Sequence, residues 1–279
     1  MADGPYRLLT RADFDGIVSA RLLRDAGVVD RVAFAHPRDI EAGRTPVDPG
    51  VALATLPHRP EAALFFHHRH DPPIIGAGET GAGAVPSTAR LIYDHYGAGA
   101  FADVSGGLID AVDGCTAGHL EEADIRDPAG WVMLNFIMDA RTGLGRFTDF
   151  TVSNTQLMLD MIGHLGESDP QRVLAQPDVH ERVALYRDHA RAFADQLKRC
   201  TAVHGRIGVI DLRYEDFIFC GNRFLVYALV PEIDVSLHVY WGLDRRNTVI
   251  AAGRSVLGHR PQVDLGRQMA PRRASSKTL

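Results

Sequence analysis

The chain has 279 residues, of which 46% are hydrophobic and 23% charged, and its formal net charge is −5 at pH 7. That is the composition of a folded protein with room for one large or two ordinary domains. Its negative sign weighs against nonspecific binding to nucleic acid or to an anionic membrane. Cys115, Cys200 and Cys220 are scattered and form no C-x-x-C pair, which fits a reducing compartment better than a disulfide framework. The opening "MADGPYRLL" has no basic, apolar leader pattern and runs such as "FLVYALV" are far shorter than a bilayer, so a cytoplasmic protein without membrane contact is expected.

In chain order, residues 6–10 read as a strand, 16–26 as a helix, and 32–35 and 63–66 as further strands. The Gly/Ala-rich "GAGETGAGA" reads as a mobile loop, and residues 87–96 as a helix starting at a Ser N-cap after Pro86. Strands alternating with helices predict a parallel sheet in an α/β domain. From about Gly106 the pattern is helical: "WVMLNFIMDARTG" is apolar nearly all round, and "NTQLMLDMIGHL" and the long "PDVHERVALYRDHARAFADQLKRC" follow. After Cys200 strands return in "GRIGVIDL", "FIFCG", "VSLHVYWGL" and "TVIAAG", with a short helix in "RFLVYALV". The expected division is 1–177, a connecting helix at 178–200, a smaller α/β domain at 201–266, and a disordered basic tail at 267–279.

The stretch "TRADFDGIVSARLL" places Asp13 and Asp15 two apart at a strand end, before a helix that opens near Gly16. Side chains two apart in an extended segment point the same way. Two converging carboxylates need water, a shared proton or a cation, and a hard divalent metal suits oxygen donors. The helix N-terminus beyond favours an anion such as phosphate. D-x-D-G is also a common turn and N-cap composition, with Asp15 as the cap. A second apolar strand ends in "HHRHD", offering His67, His68, His70 and Asp71; imidazoles here could equally line a solvated loop, or form a separate zinc site. "FAHPRD" adds Asp39 and "IDAVDGC" adds Asp113 near the end of a helix.

This order of motifs, with the blocks "STARLIYDHYG", "GWVMLNFIMDARTGLGRF", "DVHERVALYRDH" and "CGNRFLVYAL", resembles the DHH phosphoesterase superfamily, in particular its bacterial exopolyphosphatase-like proteins. The resemblance implies a parallel-sheet domain, a long helix and a smaller α/β domain. It implies hydrolysis of phosphoanhydride or phosphodiester bonds in polyphosphate, short oligonucleotides or another phosphorylated small molecule, typically with two Mn²⁺ ions. Carried over by position, Asp13, Asp15, Asp39, His67 and Asp113 are the expected metal ligands. His68 would orient substrate or assist proton transfer, and Arg141 and Arg223 would hold phosphate. Arg141 equally reads as a charge placed near a helix C-terminus.

The chain departs from the pattern twice. Arg11 stands where many members have a histidine ligand, and Phe66 stands where the motif that names the superfamily begins with aspartate. After "VDLGRQM", where members carry a glycine-rich "GGGH" segment, comes "APRRASSKTL", so the smaller domain is expected to be truncated. Two outcomes remain open: a weakened phosphoesterase, or a catalytically silent relative that binds metal or a phosphorylated ligand in a regulatory or interaction role.

Overall fold

In a computed structural model, which describes residues 5–70, 73–80 and 84–257, the chain divides into two compact units. One is Met1–Ala190 with Cys220–Asn222, and the other is Arg191–Phe219 with Arg223–Leu279. Asp71, residues 81–83 of "GAGETGAGA", and residues 258–279, with "VDLGRQM" and the basic tail, lie outside the described residues.

The first unit opens with β1 (Tyr6–Thr10), α1 (Phe14–Asp25), β2 (Val29–Phe34), α2 (Pro37–Glu41), β3 (Val51–Ala54) and β4 (Leu64–Phe66). These strands form a four-stranded sheet in the order β2-β1-β3-β4, parallel throughout. Consecutive apolar residues serve opposite faces, as a sheet covered on both sides requires. Leu9, Val51, Leu53 and Phe65 pack with Ile40 and Leu56 on one face. Leu8, Ala52 and Phe66 point the other way and are fully buried. Ile74 and Ile75 (β5) pair with Glu79 and Thr80 (β6) in a small hairpin, so part of the stretch expected as a loop is ordered.

The rest of the unit is helical, as the sequence pattern predicts. It comprises α3 (Thr88–Tyr96), α4 (Gly106–Ala117), α5 (Glu122–Arg126), α6 (Gly130–Met138), α7 (Asn154–His164), α8 (Pro170–Leu174) and the first half of α9 (Pro177–Cys200). The apolar α1, with Ile17, Val18, Leu22 and Leu23 all buried, packs against α3, α4, α6 and α7. "FIFCG" is not a strand. Gly221 N–H donates to Thr142 O at 3.0 Å, Asn222 Nδ2 to Ile125 O at 3.2 Å and Cys220 N–H to His189 Nδ1 at 3.2 Å, so these polar groups are satisfied without a ladder.

The second unit holds β7 (Thr201–His204), β8 (Ile207–Asp211), α10 (Leu225–Leu229), β9 (Val235–Trp241) and β10 (Thr248–Arg254). Its mixed sheet runs β10-β9-β8-β7, with only β8 and β9 parallel. Phe193 and Leu197 of α9 and Val226 and Tyr227 of α10 pack on Ile210, Leu212 and Ile233. Among the described residues, no helix is long and apolar enough to cross a membrane.

Candidate functional site

The parallel ladders set Leu9, Leu53 and Phe65 side by side, so β1, β3 and β4 end together at one edge of the sheet. Ligands of parallel α/β sheets bind at that edge. The segments leaving it are Arg11 to Asp15 after β1, Thr55 after β3, and His67 to His70 after β4.

Asp13 and Asp15 do not share an extended segment. Asp13 is the N-cap of α1, its Oδ1 accepting from Gly16 N–H at 3.1 Å, while Asp15 lies within the first turn. The cap is therefore Asp13, not Asp15. The two side chains find different partners. Asp13 Oδ2 meets Arg11 Nε at 2.8 Å. Asp15, only 8% exposed, accepts from the first N–H groups of α3: Thr88 N–H to Oδ2 at 3.1 Å and Ala89 N–H to Oδ1 at 2.8 Å. Burial, and after it the charge of Asp13, pushes the Asp15 carboxyl up to about 7 against the pull of those amides.

His68 Nδ1 lies 2.8 Å from Thr88 Oγ1 and 3.6 Å from Asp15 Oδ2. His67 and His68 stack with ring centroids 5.6 Å apart. Arg69 reaches both, its N–H donating to His67 Nδ1 at 3.0 Å and its Nε to His68 Nε2 at 3.2 Å. Burial, then the charge on Arg69, holds both imidazoles down at about 4, with Arg11 adding to the effect. At neutral pH they are uncharged, and the approach of His68 to Asp15 is not an ion pair.

Asp113 lies within α4 rather than at its end. Its Oδ1 accepts from Ser87 Oγ at 2.6 Å and its Oδ2 from Arg90 Nε at 2.7 Å, while Arg90 also holds Asp110 at 2.7 Å. Asp39, in α2, accepts from Arg44 through Nε at 2.8 Å and through a terminal amino group at 2.6 Å. Arg141 forks onto Asp139, at 2.7 Å from both carboxylate oxygens. Arg223 belongs to the second unit, where its guanidinium sits 4.5 Å above the Phe224 ring and its charge, after burial, helps hold His238 down at about 4.

The structure thus brings Asp15 and His68 together and sets Asp13 beside them in sequence and on the same sheet edge. Asp13, Asp39 and Asp113 each meet a guanidinium of their own. Among the described residues, no group of three or more His, Cys, Asp or Glu side chains is placed to hold a metal ion. Phe66, 0% exposed, supplies no oxygen at the end of β4. As arranged, this donor set does not fit a pair of divalent cations.

Several residues at the site escaped the sequence reading. Ser87 reads from the sequence as a helix cap but not as a partner of Asp113, and Thr88 and Arg90, which follow it in "STARLIYDHYG", carry no signal of their own. Thr55 left no signal. It adopts φ +60°, a conformation rare outside glycine, and its Oγ1 accepts from Arg11 N–H at 3.2 Å and lies 3.1 Å from Thr10 Oγ1.

No protein-family model matches the chain, and no curated protein resembles it significantly. Among solved structures, the pGpG-specific phosphodiesterase PggH from Vibrio cholerae superposes with a TM-score of 0.79 at 36% sequence identity, covering 95% of this chain and 87% of that one. The chain belongs to the family of that phosphodiesterase. An uncharacterized protein from Helicobacter pylori G27 aligns with a TM-score of only 0.32 at 10% identity, which carries no argument. The alignment with the phosphodiesterase takes in nearly all of this chain, so family membership covers residues of both units and not the parallel sheet alone.

Proposed function

We propose that the chain is a phosphoesterase of the DHH superfamily acting on a short, phosphorylated linear dinucleotide of the pGpG kind, in preference to polyphosphate. The observation that carries this reading is the 36% identity to PggH across 95% of the chain. The order of strand-end motifs supports the superfamily assignment. A dinucleotide also suits a site whose imidazoles are stacked and uncharged, since such rings offer a face to a base and no competing charge to its phosphate.

The resemblance implies Mn²⁺, but Asp13, Asp15, Asp39 and Asp113 are all engaged by amides, a hydroxyl or guanidinium groups. What the chain's own residues do is bind and orient. Arg69 and Thr88 fix the His68 ring, and Asp15 takes up or releases a proton near pH 7. His68, held down at about 4, is a weak base and serves better to orient than to relay protons.

The test is GMP release from pGpG, alongside phosphate release from pyrophosphate and short polyphosphate, with Mn²⁺ supplied. An Asp13→Ala/Asp15→Ala double variant is the control. GMP release by the parent, falling by at least about 100-fold in the control, is the expected result. The second reading, a silent ligand-binding relative, is favoured by Phe66 and by the arginine-paired carboxylates. No turnover of any substrate by folded protein would select it.

A further inference from the structure

The carboxylates expected to hold metal are neutralised from within the protein. A cation at Asp13 would compete with Arg11 Nε at 2.8 Å, and one at Asp113 with both Arg90 and Ser87. Both are charge-assisted bonds of short length, and the Asp113 pair is the better shielded from water, so exchange for a hydrated cation gains little there. The site then keeps positive charge of another kind. We propose that Arg11 and Arg69 bind the phosphate of a phosphorylated linear dinucleotide directly, so that this site takes its ligand without a divalent cation.

The two arginines are differently held, and both are available. Arg11 is fixed at its backbone, where its N–H donates to the hydroxyl of Thr55, itself kept at φ +60°. Strain retained at such a position marks a place where the surrounding structure over-determines one conformation. With Nε on Asp13, the side chain still has 43% of its surface exposed, which leaves part of the donor fork for an incoming oxyanion. Arg69 is exposed and anchored through the imidazole pair, at 3.2 Å from His68 Nε2. Arg11 follows β1 and Arg69 follows β4 at the same sheet edge, and Thr55 links the two segments, its Oγ1 accepting from Arg11 N–H at 3.2 Å and its N–H donating to Phe66 O at 3.1 Å. Between them they outweigh the one charge of Asp13, and Asp15 is buried with its oxygens turned to the α3 amides. A phosphate lying between Arg11 and Arg69 gains charge-assisted bonds from both sides while its base meets the imidazole face.

The inference rests on the dinucleotide reading above, and the experiment separates the two. Calorimetric titration of the full chain with pGpG is run in EDTA and again in Mn²⁺, with GMP release followed in parallel. The expected result is binding in EDTA of nearly the same affinity as in Mn²⁺. Arg11→Ala and Arg69→Ala each weaken it by about tenfold or more. Arg172→Ala, which breaks only the surface pair with Glu167, leaves it unchanged, and a thermal melt confirms that each variant is folded. Binding that appears only with Mn²⁺, or binding in EDTA indifferent to both arginines, overturns the inference and leaves the phosphodiesterase reading standing. Absence of binding and of hydrolysis under both conditions overturns the dinucleotide reading, and the inference with it. Binding in EDTA with no GMP release in Mn²⁺ supports the inference and selects the silent relative.

Discussion

Gly16 shows how tightly the turn after β1 is drawn. A Cβ there would stand 2.1 Å from Arg11 O and 2.8 Å from Thr10 Oγ1. The glycine is needed for this close approach, because its φ is not in the left-handed region. Gly16→Ala should push Arg11 and the Asp13 cap out of place at a cost of about 1–3 kcal/mol, seen as a lower urea midpoint with an unchanged slope. An unchanged midpoint would mean that the loop yields freely. At this scale the sequence was half legible. "DFDG" announced a close turn and two carboxylates, but it could not say that Asp13 would cap the helix while Asp15 turned to amides some seventy positions onward. Those partners are set by tertiary packing, as are Arg90 on Asp113 and the strained Thr55, and local spacing does not encode them.

Helix α3 ties the site together. Ser87 caps it, accepting from Arg90 N–H at 2.9 Å while donating to Asp113 at 2.6 Å, and the next two N–H groups serve Asp15. Ser87→Ala removes the cap and strips Asp113 of one donor in a single step. A cap alone is worth about 1 kcal/mol, and the buried donor adds about as much. A loss near 2 kcal/mol in chemical denaturation is therefore expected, and a loss below about 0.5 kcal/mol would show that water replaces the hydroxyl at both places. Elements of this kind were legible where a cap or a long period marked them: the Ser87 cap, the Pro177–Cys200 helix and strands β1, β9 and β10 all stand as the pattern implies. The short strands β3 and β7 were not, because their four residues lack the bulky aromatic run that marks the even shorter β4. "FIFCG" misled for the opposite reason. Its apolar alternation is strand-like, but its polar groups are taken by Thr142, Ile125 and His189 rather than by a neighbouring strand.

Over the whole molecule, the groups that titrate near neutrality pull in opposite directions, and their number decides the outcome. Burial holds His67, His68 and His238 down at about 4 and lowers His189 as well, whereas a free imidazole titrates near 6.5. Between those values the unfolded chain carries protons that the folded one lacks, so these residues make stability rise with pH, complete above about 6.5 and lost as pH falls toward about 4. Asp15 does the reverse. Its folded value near 7 lies above the unfolded 3.8, so the folded state carries the extra proton, and stability falls as pH rises through that interval. Several imidazoles outweigh one carboxyl. Urea denaturation in EDTA should therefore show stability climbing from about pH 5 to about pH 7 and then levelling. Asp15→Asn removes the single opposing proton, so its advantage over the parent should be absent near pH 4 and grow to its full size above about pH 7. A difference between variant and parent that does not change with pH would mean that Asp15 is ionised in the folded protein as it is in the unfolded one.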